Sequence, residues 1–386
     1  MAKTAASKPS VAIPFNRCLP IGNELEYVQQ AMSSGVLSGD GPFTKKCHQW
    51  LEREIGAPGA LLTTSCTHAL EMTALLLDLK PGDEVIIPSF TFVSTVNAYV
   101  LRGAKPLFAD IRPDTLNIDE KQLPSLITPR TKAIVVVHYA GVGCEMDSIL
   151  ESAKRAGVPV IEDNAHGLFG RYKGHYLGTF GAMATQSFHE TKNVACGEGG
   201  ALLLNDARLM ERAEIIREKG TDRSRFFRGL VDKYGWVDVG SSYLPSELLA
   251  AFLLGQLEAS AKIQSRRKAV CDAYSAGLAD WAQQNGIRLP YVPAHCEQPF
   301  HMFYMLLPDL ERRQKFIAHM KSRYITAPFH YLPLNASPMG AKFGAKLGDC
   351  PVTEKISDEL VRLPLFNSMT DDEAEFVVAS AREFRC

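Results

Sequence analysis

The sequence from residue 185 to residue 204 reads TQSFHETKNVACGEGGALLL. We predict a strand that ends near Ser187, a short loop that carries Lys192, and a glycine-rich turn before a second apolar strand. This arrangement places the lysine between two buried strands, where loss of water lowers the pKa of an amine and makes it a usable nucleophile. A lysine beside glycines is on its own more often a surface residue, so the rest of the chain decides its role.

Short apolar segments recur on both sides of this stretch, and helix-like segments separate them. Strands that are apolar on both faces and alternate with helices are typical of a largely parallel sheet covered by helices. We therefore predict an α/β protein with a mostly parallel, mixed sheet. The predicted strands lie at residues 61–62, 85–87, 106–108, 133–137, 158–161, 184–188 and 201–204.

The pattern changes after about residue 245. Apolar residues from Glu247 to Ala273 recur at three-to-four spacing, which predicts one long helix that leads into a second domain. We predict a large domain over residues 1–255 and a smaller C-terminal α+β domain over residues 256–386. The later predicted elements are a strand at 301–307 and helices at 311–323 and 370–384.

Composition and charge exclude several classes of protein. The 386 residues contain 42 Lys and Arg against 43 Asp and Glu, so the net charge of −1 provides no field that would attract nucleic acid. Nine cysteines without a C-x-x-C pair argue against a disulfide framework or a zinc site and favour the cytoplasm. Residues 1–12 lack the apolar core of a signal peptide, and no apolar run reaches the ~20 residues that span a bilayer. We expect a cytoplasmic protein that binds no nucleic acid, membrane or metal ion.

Two acids end the predicted strand Val158-Pro-Val-Ile-Glu-Asp163, and His166 follows three residues later. Ligands of open α/β sheets bind outside the carboxyl ends of the strands, so Asp163 and His166 lie where binding is expected. An isolated acid at such a position is more often a helix cap or a solvated loop residue.

Two further strand ends carry residues suited to binding a flat anionic molecule. A polar turn with Ser65 and Thr67 precedes an apolar-periodic helix, and the free amides at such a helix start form a phosphate site, although Ser and Thr cap helices everywhere. After another buried strand, Phe90 or Phe92 is placed to stack on a flat ring, although aromatic residues after strands usually belong to the core.

Each of these features is common by itself, but together they are the set that pyridoxal phosphate (PLP) requires. The lysine binds the cofactor through an imine, and the helix start holds the phosphate. The carboxylate keeps the pyridine nitrogen protonated, so that the ring withdraws electrons. The occurrence of all four features at successive strand ends predicts a PLP-dependent enzyme.

The segments around these residues resemble the fold-type-I, PLP-dependent sugar-nucleotide aminotransferases. The resemblance rests on Asp163-Asn-Ala-His166 and on the block from Ser187 to Gly200, and it extends from Pro14-Phe-Asn16 to Leu363-Pro-Leu-Phe366. It implies an aspartate-aminotransferase-like fold with a large PLP-binding domain and a smaller C-terminal domain. The stretches most similar to enzymes that make dTDP-4-amino-4,6-dideoxygalactose are residues 142–147, 225–229 and 236–243.

The resemblance implies a role for each matching residue. Lys192 binds the cofactor covalently and moves the proton, and Asp163 is the partner of the pyridinium nitrogen. Phe92 stacks on the ring face, and His166 contacts the cofactor or its ring hydroxyl. The residues implied around the phosphate are Cys66, Thr67, Ser187 and, from a partner subunit, Ser242, which stands where many relatives have Asn.

The implied reaction is a ping-pong transamination with L-glutamate as the amino donor and dTDP-4-dehydro-6-deoxy-D-glucose as the acceptor. Its product, dTDP-4-amino-4,6-dideoxygalactose, serves the synthesis of surface polysaccharides such as O-antigen and enterobacterial common antigen. The family also implies a homodimer with the active site at the interface. Candidate charge partners for a carboxylate or the diphosphate are Arg17, Lys219, Arg228 and His330.

Other functions fit parts of the sequence. A sugar transaminase that acts at C3 stays open, and Lys192 argues against a PLP-dependent sugar dehydratase, in which His replaces the lysine. A nicotinamide dehydrogenase is disfavoured because Met146 occupies the third glycine position after Gly141-Val-Gly143. A non-catalytic sugar-nucleotide-binding protein also stays open, because a fold does not fix function.

Overall fold

The computed structural model describes residues 12–385, which form fourteen α-helices and twelve β-strands. From β1 to β5, a helix separates each strand from the next. In chain order, the strands β1 to β12 are Gly59–Thr63, Glu84–Pro88, Lys105–Ala109, Thr131–Val137, Val160–Asp163, Arg171–Tyr172, His175–Tyr176, Met183–Ser187, Gly200–Leu204, Cys296–Glu297, Phe303–Leu306 and Leu360–Leu363. The helices α1 to α14 are Glu24–Ser34, Pro42–Ile55, Cys66–Leu76, Val93–Val100, Leu123–Leu126, Met146–Ala156, Met210–Arg217, Arg223–Phe227, Glu247–Glu258, Ser260–Gln284, Leu310–Ser322, Pro338–Lys342, Pro351–Glu359 and Asp371–Glu383.

Seven strands form the central sheet in the order β1-β9-β8-β5-β4-β2-β3. The neighbours from β8 to β3 pair in parallel, whereas β9 runs antiparallel to both β1 and β8. The prediction of a mostly parallel, mixed sheet covered by helices is confirmed. Because the parallel strands share one direction, their carboxyl ends meet at one edge, which is where ligands bind in such sheets.

The sheet is buried on both faces, because successive side chains of a strand point to opposite sides. Leu61 of β1 packs in one core with residues of α3, α4 and α7, and the next residue, Leu62, packs in a second core with residues of α2 and α9. Helices on both faces explain why the strands are continuous apolar runs rather than alternating patterns.

The long helix predicted from Glu247 to Ala273 is wrong: the structure contains two helices over this stretch. Helix α9 ends at Glu258 and α10 begins at Ser260. The intervening Ala259 has a ψ of 6°, well away from the helical value of about −42°, and this interrupts the regular helix geometry. Apolar spacing continues across the break, so periodicity alone does not reveal it.

The apolar partners of the chain change within α10. Ile263 belongs to the core that contains α2 and α9, whereas Val270 belongs to a separate C-terminal core. The N-terminal Ile13 joins this C-terminal core through a parallel bridge to Ile325. The domain boundary near residue 255 stays a prediction.

The C-terminal part of the chain combines a two-stranded sheet with helices. Strands β11 and β12 pair in antiparallel orientation, and residues of α10, α11 and α14 share their core. Thr370 and Glu373 form a reciprocal capping box that fixes the start of α14.

Within residues 12–385, no helix combines the length and the apolar character that crossing a membrane requires. In the same range, no group of three or more His, Cys, Asp or Glu side chains is arranged to hold a metal ion.

Candidate active site

A cavity of about 830 Å³ opens at the carboxyl ends of the parallel strands. The last residues of β5 and β8, Asp163 and Ser187, line it. The C-terminal part of the chain supplies further lining residues, among them His301, His330 and Arg362. This volume lies in the usual range for small-molecule sites.

Lys192 lines this cavity from the loop between β8 and β9. Backbone hydrogen bonds close the loop: Lys192 N donates to the carbonyl of His189 over 2.9 Å, and Phe188 N donates to the carbonyl of Gly199 over 2.8 Å. The lysine is therefore held on a tight turn between two buried strands, as the sequence predicts.

The environment of Lys192 makes its amine a weaker base than an ordinary lysine. Burial among protein atoms lowers the pKa of Lys192 to about 8, although part of the side chain stays open to the cavity. The charge of Arg362 also lowers this pKa, whereas Cys66 and Asp163 act in the opposite direction. An amine with this pKa has a substantial neutral fraction near neutral pH and acts as a nucleophile or as a proton acceptor.

Asp163 lies at the end of β5 and is 4% exposed. Its Oδ2 accepts a hydrogen bond from Oγ1 of Thr95 over 2.7 Å, and its Oδ1 accepts one from the backbone N–H of Ala165 over 3.2 Å. Burial raises the pKa of Asp163, while these hydrogen bonds and the positive charge of Lys192 lower it. The carboxylate and the amine therefore interact within one cavity.

The start of α3 forms a cradle of backbone amides. Ser65 caps this helix, because its hydroxyl accepts a hydrogen bond from the N–H of His68 over 3.1 Å. The amides of Cys66 and Thr67 have no acceptor within the helix, so they are suited to an anion such as phosphate. A Cβ at Gly200, the first residue of β9, would lie 2.4 Å from the backbone N of Cys66. Only glycine at this position permits such a close approach of strand and helix.

Three of the four residues predicted around the phosphate, Cys66, Thr67 and Ser187, line the same cavity. Thr67 donates from Oγ1 to Oγ of Ser94 over 2.9 Å. The Sγ of Cys66 lies 3.5 Å from Oγ1 of Thr185 in β8. The tertiary structure thus joins the start of α3 to the end of β8.

The two aromatic candidates, Phe90 and Phe92, differ in their exposure to the cavity. Phe92 lines the cavity, is 55% exposed and lies 6.2 Å from Tyr331, measured between ring centroids. Phe90 is 1% exposed and packs in the core, with its ring centroid 5.1 Å from that of Tyr139. Of the two, Phe92 is the ring that is available to a ligand.

His166 is buried beside a second histidine. Its ring stacks on that of His301 with the centroids 4.4 Å apart, and its Nδ1 is buried without a partner in the described part of the chain. His301 pairs through Nδ1 with Oδ1 of Asn193 over 2.9 Å. Burial lowers the pKa of both histidines well below the usual range, so both rings are neutral near pH 7.

Of the predicted charge partners, His330 alone lies in the lining of this cavity. It pairs with the hydroxyl of Tyr139 over 3.0 Å, and burial lowers its pKa well below the usual range, which makes it a neutral polar group. Arg17, Lys219 and Arg228 instead form ion pairs with Glu373, Glu218 and Glu214, respectively.

Ser242, predicted to act from a partner subunit, is exposed and forms a bridge with Glu218 outside the lining of this chain's cavity. A contact with a partner's cofactor stays a prediction.

Sequence reasoning missed several residues of the site. Thr95 lies three residues after Phe92, but nothing in the sequence indicates its hydrogen bond to Asp163. Arg362 directly precedes the Leu363-Pro-Leu-Phe366 stretch that ends the resemblance. This position is the one feature of the sequence that could have indicated Arg362 as a residue of the site. His301 gives no sequence signal, because its partner Asn193 is 108 residues away.

The fold and the site define a class of enzyme in which a buried lysine and a strand-end carboxylate share one cavity with a helix start suited to phosphate. Residues 21–382 match the DegT/DnrJ/EryC1/StrS aminotransferase family, and the chain belongs to that family.

Relatives and solved structures resemble the chain over nearly its whole length. The spore coat polysaccharide biosynthesis protein SpsC of Bacillus subtilis is 32% identical over 379 residues, which cover 96% of each chain. The aminotransferase TlmJ of Streptoalloteichus hindustanus is 29% identical, with a TM-score of 0.86 over 97% of this chain and 98% of that one. The PMP-form of the putative sugar aminotransferase Spr1654 of Streptococcus pneumoniae is 25% identical, with a TM-score of 0.88 over 95% and 98%.

PLP is the cofactor of this family, and the residues of this chain fit it. The cavity offers an amine of lowered pKa at Lys192, a buried carboxylate at Asp163, and the amide cradle of α3. The unpartnered Nδ1 of His166 is a buried polar atom that a ligand in the cavity would satisfy. Lys192 matches the aldehyde of PLP and Asp163 its ring nitrogen. The amide cradle of α3 matches the phosphate, and His166 matches the ring hydroxyl.

Proposed function

We propose that this protein transfers the amino group of L-glutamate to C4 of dTDP-4-dehydro-6-deoxy-D-glucose and forms dTDP-4-amino-4,6-dideoxygalactose. Membership of the family supports the transfer of an amino group. The choice of sugar rests on the sequence resemblance over residues 142–147, 225–229 and 236–243. The name of the SpsC relative supports a role in the synthesis of a surface polysaccharide, such as O-antigen or enterobacterial common antigen.

The observation that carries this proposal is the interaction of Lys192 with Asp163 in one cavity. Each residue shifts the pKa of the other, so the amine and the carboxylate are close enough to serve one small ligand. With a pKa of about 8, the amine is partly neutral and partly protonated around neutral pH, so it can accept a proton and return it. This is the requirement of a reaction that removes a proton in one half and returns it in the other.

The proposed roles of the chain's residues follow from this arrangement. When bound, PLP supplies an electron sink for the negative charge that forms on the carbon beside the amino nitrogen. Lys192 takes the proton from the α-carbon of the donor and later delivers a proton to C4 of the sugar. Asp163 keeps the ring nitrogen protonated, and the amides of Cys66 and Thr67 with the hydroxyl of Ser187 hold the phosphate.

The proposal includes a homodimer in the cytoplasm. Large apolar side chains at and after α8 are exposed on the single chain, and clustered exposed apolar surface marks interaction sites. The most exposed of these apolar side chains are Phe227 at 70%, Leu230 at 62%, Trp236 at 81% and Val237 at 56%.

The state of the cysteines supports the cytoplasm as the compartment. All eight cysteines in the described part of the chain are free, as is usual in a reducing compartment.

Light scattering tests the dimer. We expect twice the 42.5 kDa of one chain for the wild type and a shift towards the single-chain mass for Trp236→Arg. A wild type that scatters as one chain at micromolar concentration contradicts this part of the proposal.

The experiment that tests the reaction is incubation of the PLP-loaded protein with L-glutamate and the dTDP-4-keto sugar, followed by NMR of the product. We expect an amino group at C4 in the galacto configuration, and no product from Lys192→Ala. A parallel incubation with the dTDP-3-keto isomer tests the regiochemistry. Amination at C3, loss of a sugar hydroxyl, or cofactor binding without turnover would each overturn the proposed reaction.

A further inference from the structure

Arg362, on β12, is a cation in the lining of the cavity that contains Lys192. Its Cζ lies 4.5 Å from the ring centroid of Phe15, and its Nη2 donates to the carbonyl of Phe329 over 3.0 Å. Its Nε is buried and has no partner among residues 12–385. An aromatic face and one carbonyl therefore fix the guanidinium, while part of its hydrogen-bonding capacity stays free.

The charge of Arg362 is not neutralised by the chain. Within residues 12–385 it forms no ion pair, and the groups that raise its pKa are the hydroxyls of Tyr139 and Tyr331 rather than a carboxylate. The neighbouring His166 and His330 are themselves held neutral. A partly buried cation without a counter-ion favours an anionic ligand, because the ligand restores the interaction that water otherwise provides.

The position of Arg362 distinguishes between the anions of the two substrates. Arg362 and Lys192 line the same cavity, and the guanidinium is close enough to the amine for its charge to lower the pKa of Lys192. In an amino-acid donor, the α-carboxylate and the reacting amino group are attached to the same carbon. In the nucleotide sugar, the diphosphate is attached to C1, across the sugar ring from C4. A cation near the reacting amine therefore fits the α-carboxylate.

We propose that Arg362 binds the α-carboxylate of the amino donor and thereby makes the first half of the reaction selective for α-amino acids. The planar guanidinium matches a carboxylate with two parallel hydrogen bonds. The sugar acceptor has no carboxylate, so the second half of the reaction does not require this ion pair. This inference rests on the proposed function and names the residue that selects the donor.

The test measures the two half-reactions separately by single-turnover absorbance. We expect Arg362→Gln to raise the L-glutamate concentration that gives half the maximal donor rate by about 10- to 100-fold, the range for a hydrogen-bonded charge. The rate with the keto sugar, started from the aminated enzyme, should change less than about threefold. Arg362→Lys keeps the positive charge but cannot form the two parallel hydrogen bonds. This variant should recover part of the lost response to L-glutamate.

The matched control is Arg288→Gln. Arg288 forms a bridge with Leu306 of β11 and an ion pair with Glu359 over 3.2 Å, outside the lining of the cavity. We expect this variant to keep the wild-type response to L-glutamate. A circular dichroism spectrum and the cofactor absorbance of each variant verify the fold.

A second measurement uses the wild type alone, so that it does not depend on a variant. L-glutamate should react much faster than 4-aminobutyrate, which lacks the α-carboxylate. Equal rates with these donors, an equal response of Arg362→Gln and Arg288→Gln, or a loss confined to the sugar half-reaction would overturn the assignment of Arg362. A wild type inactive with every amino donor would instead overturn the proposed function, and this inference with it.

Discussion

Thr95 donates a hydrogen bond to Asp163, although Thr95 follows one strand of the sheet and Asp163 ends another. The distance between Oγ1 and Oδ2 is 2.7 Å. Thr95 lies in the first turn of α4, after β2, and Asp163 ends β5. The hydroxyl of Thr95 also pairs with that of Thr91 over 2.9 Å. A chain of hydroxyls therefore orients the carboxylate that we assign to the ring nitrogen of the cofactor.

Replacing Asp163 with Asn should preserve PLP binding but reduce kcat by about 10²-fold or more, because the ring nitrogen loses its anionic partner. Thr95→Val should reduce kcat by about tenfold, since the carboxylate loses one hydrogen bond worth about 1–2 kcal/mol. Steady-state kinetics with cofactor-saturated protein measures both effects. Thr95→Ser retains the hydroxyl and is the control. A wild-type rate for Asp163→Asn would remove this residue from its assigned role.

The lowered pKa of Lys192 predicts a pH dependence for the binding of PLP to the apoprotein. The neutral amine is the reactive form, so the rate of covalent binding should rise with pH and reach half its maximum near pH 8 rather than near 10.5. Removal of the neighbouring positive charge by Arg362→Gln should move this midpoint to higher pH. Stopped-flow absorbance at a series of pH values measures it.

The control for this pH dependence is Lys192→Ala, which should give no covalent signal at any pH. A midpoint near 10.5 for the wild type would show that the amine is an ordinary solvated lysine and would contradict its burial in the structure.

Gly200 keeps β9 in close contact with the start of α3. In Gly200→Ala, the new Cβ would lie 2.4 Å from backbone atoms of Ser65 and Cys66, which cannot move as easily as a flexible side chain. We expect overpacking to lower the free energy of unfolding by about 1–3 kcal/mol. We also expect a lower affinity for PLP, because the helix start that binds the phosphate is displaced. Chemical denaturation and PLP titration measure the two effects.

Gly235→Ala is the matched control for that substitution. A Cβ at Gly235 would meet no heavy atom within 4 Å, so its stability and PLP affinity should stay near those of the wild type. An equal response of the two variants would mean that the close approach at Gly200 is unimportant.

Arg267 links the C-terminal core to the loop that carries Lys192 through a network of hydrogen bonds. Its Nε donates to the carbonyl of Phe300 over 2.8 Å, and its Nη1 donates to Oδ1 of Asn367 over 2.9 Å. Asn367 in turn donates from Nδ2 to the carbonyl of Asn193, next to Lys192, over 2.8 Å. Arg267 is 1% exposed, so its guanidinium is buried and depends on these partners for its hydrogen bonds.

Arg267→Met should lower the free energy of unfolding by about 2–5 kcal/mol, because several buried polar groups lose their partner at about 1–3 kcal/mol each. Urea denaturation measures the change. Arg312→Met, which removes an exposed ion pair with Asp309, should cost less than about 1 kcal/mol. Similar losses for the two variants would contradict the importance of the buried network.

The sheet could be predicted because its strands are buried on both faces, which forces short apolar runs between helices. The break at Ala259 could not be predicted, because the apolar spacing of α9 continues into α10 while the packing partners change. The choice between Phe90 and Phe92 also needed the structure. Both are phenylalanines after the same strand, and only packing decides which one is buried.

The sequence by itself determined the α/β fold and the chemistry at the strand ends, because hydrophobic periodicity and local turn residues act over a few neighbouring positions. Only the tertiary structure decided which side chains surround Lys192. Thr95, His301 and Arg362 reach this cavity from elements that are between 97 and 170 residues away along the chain. Contacts over such separations are set by how the layers pack, and no local pattern records them.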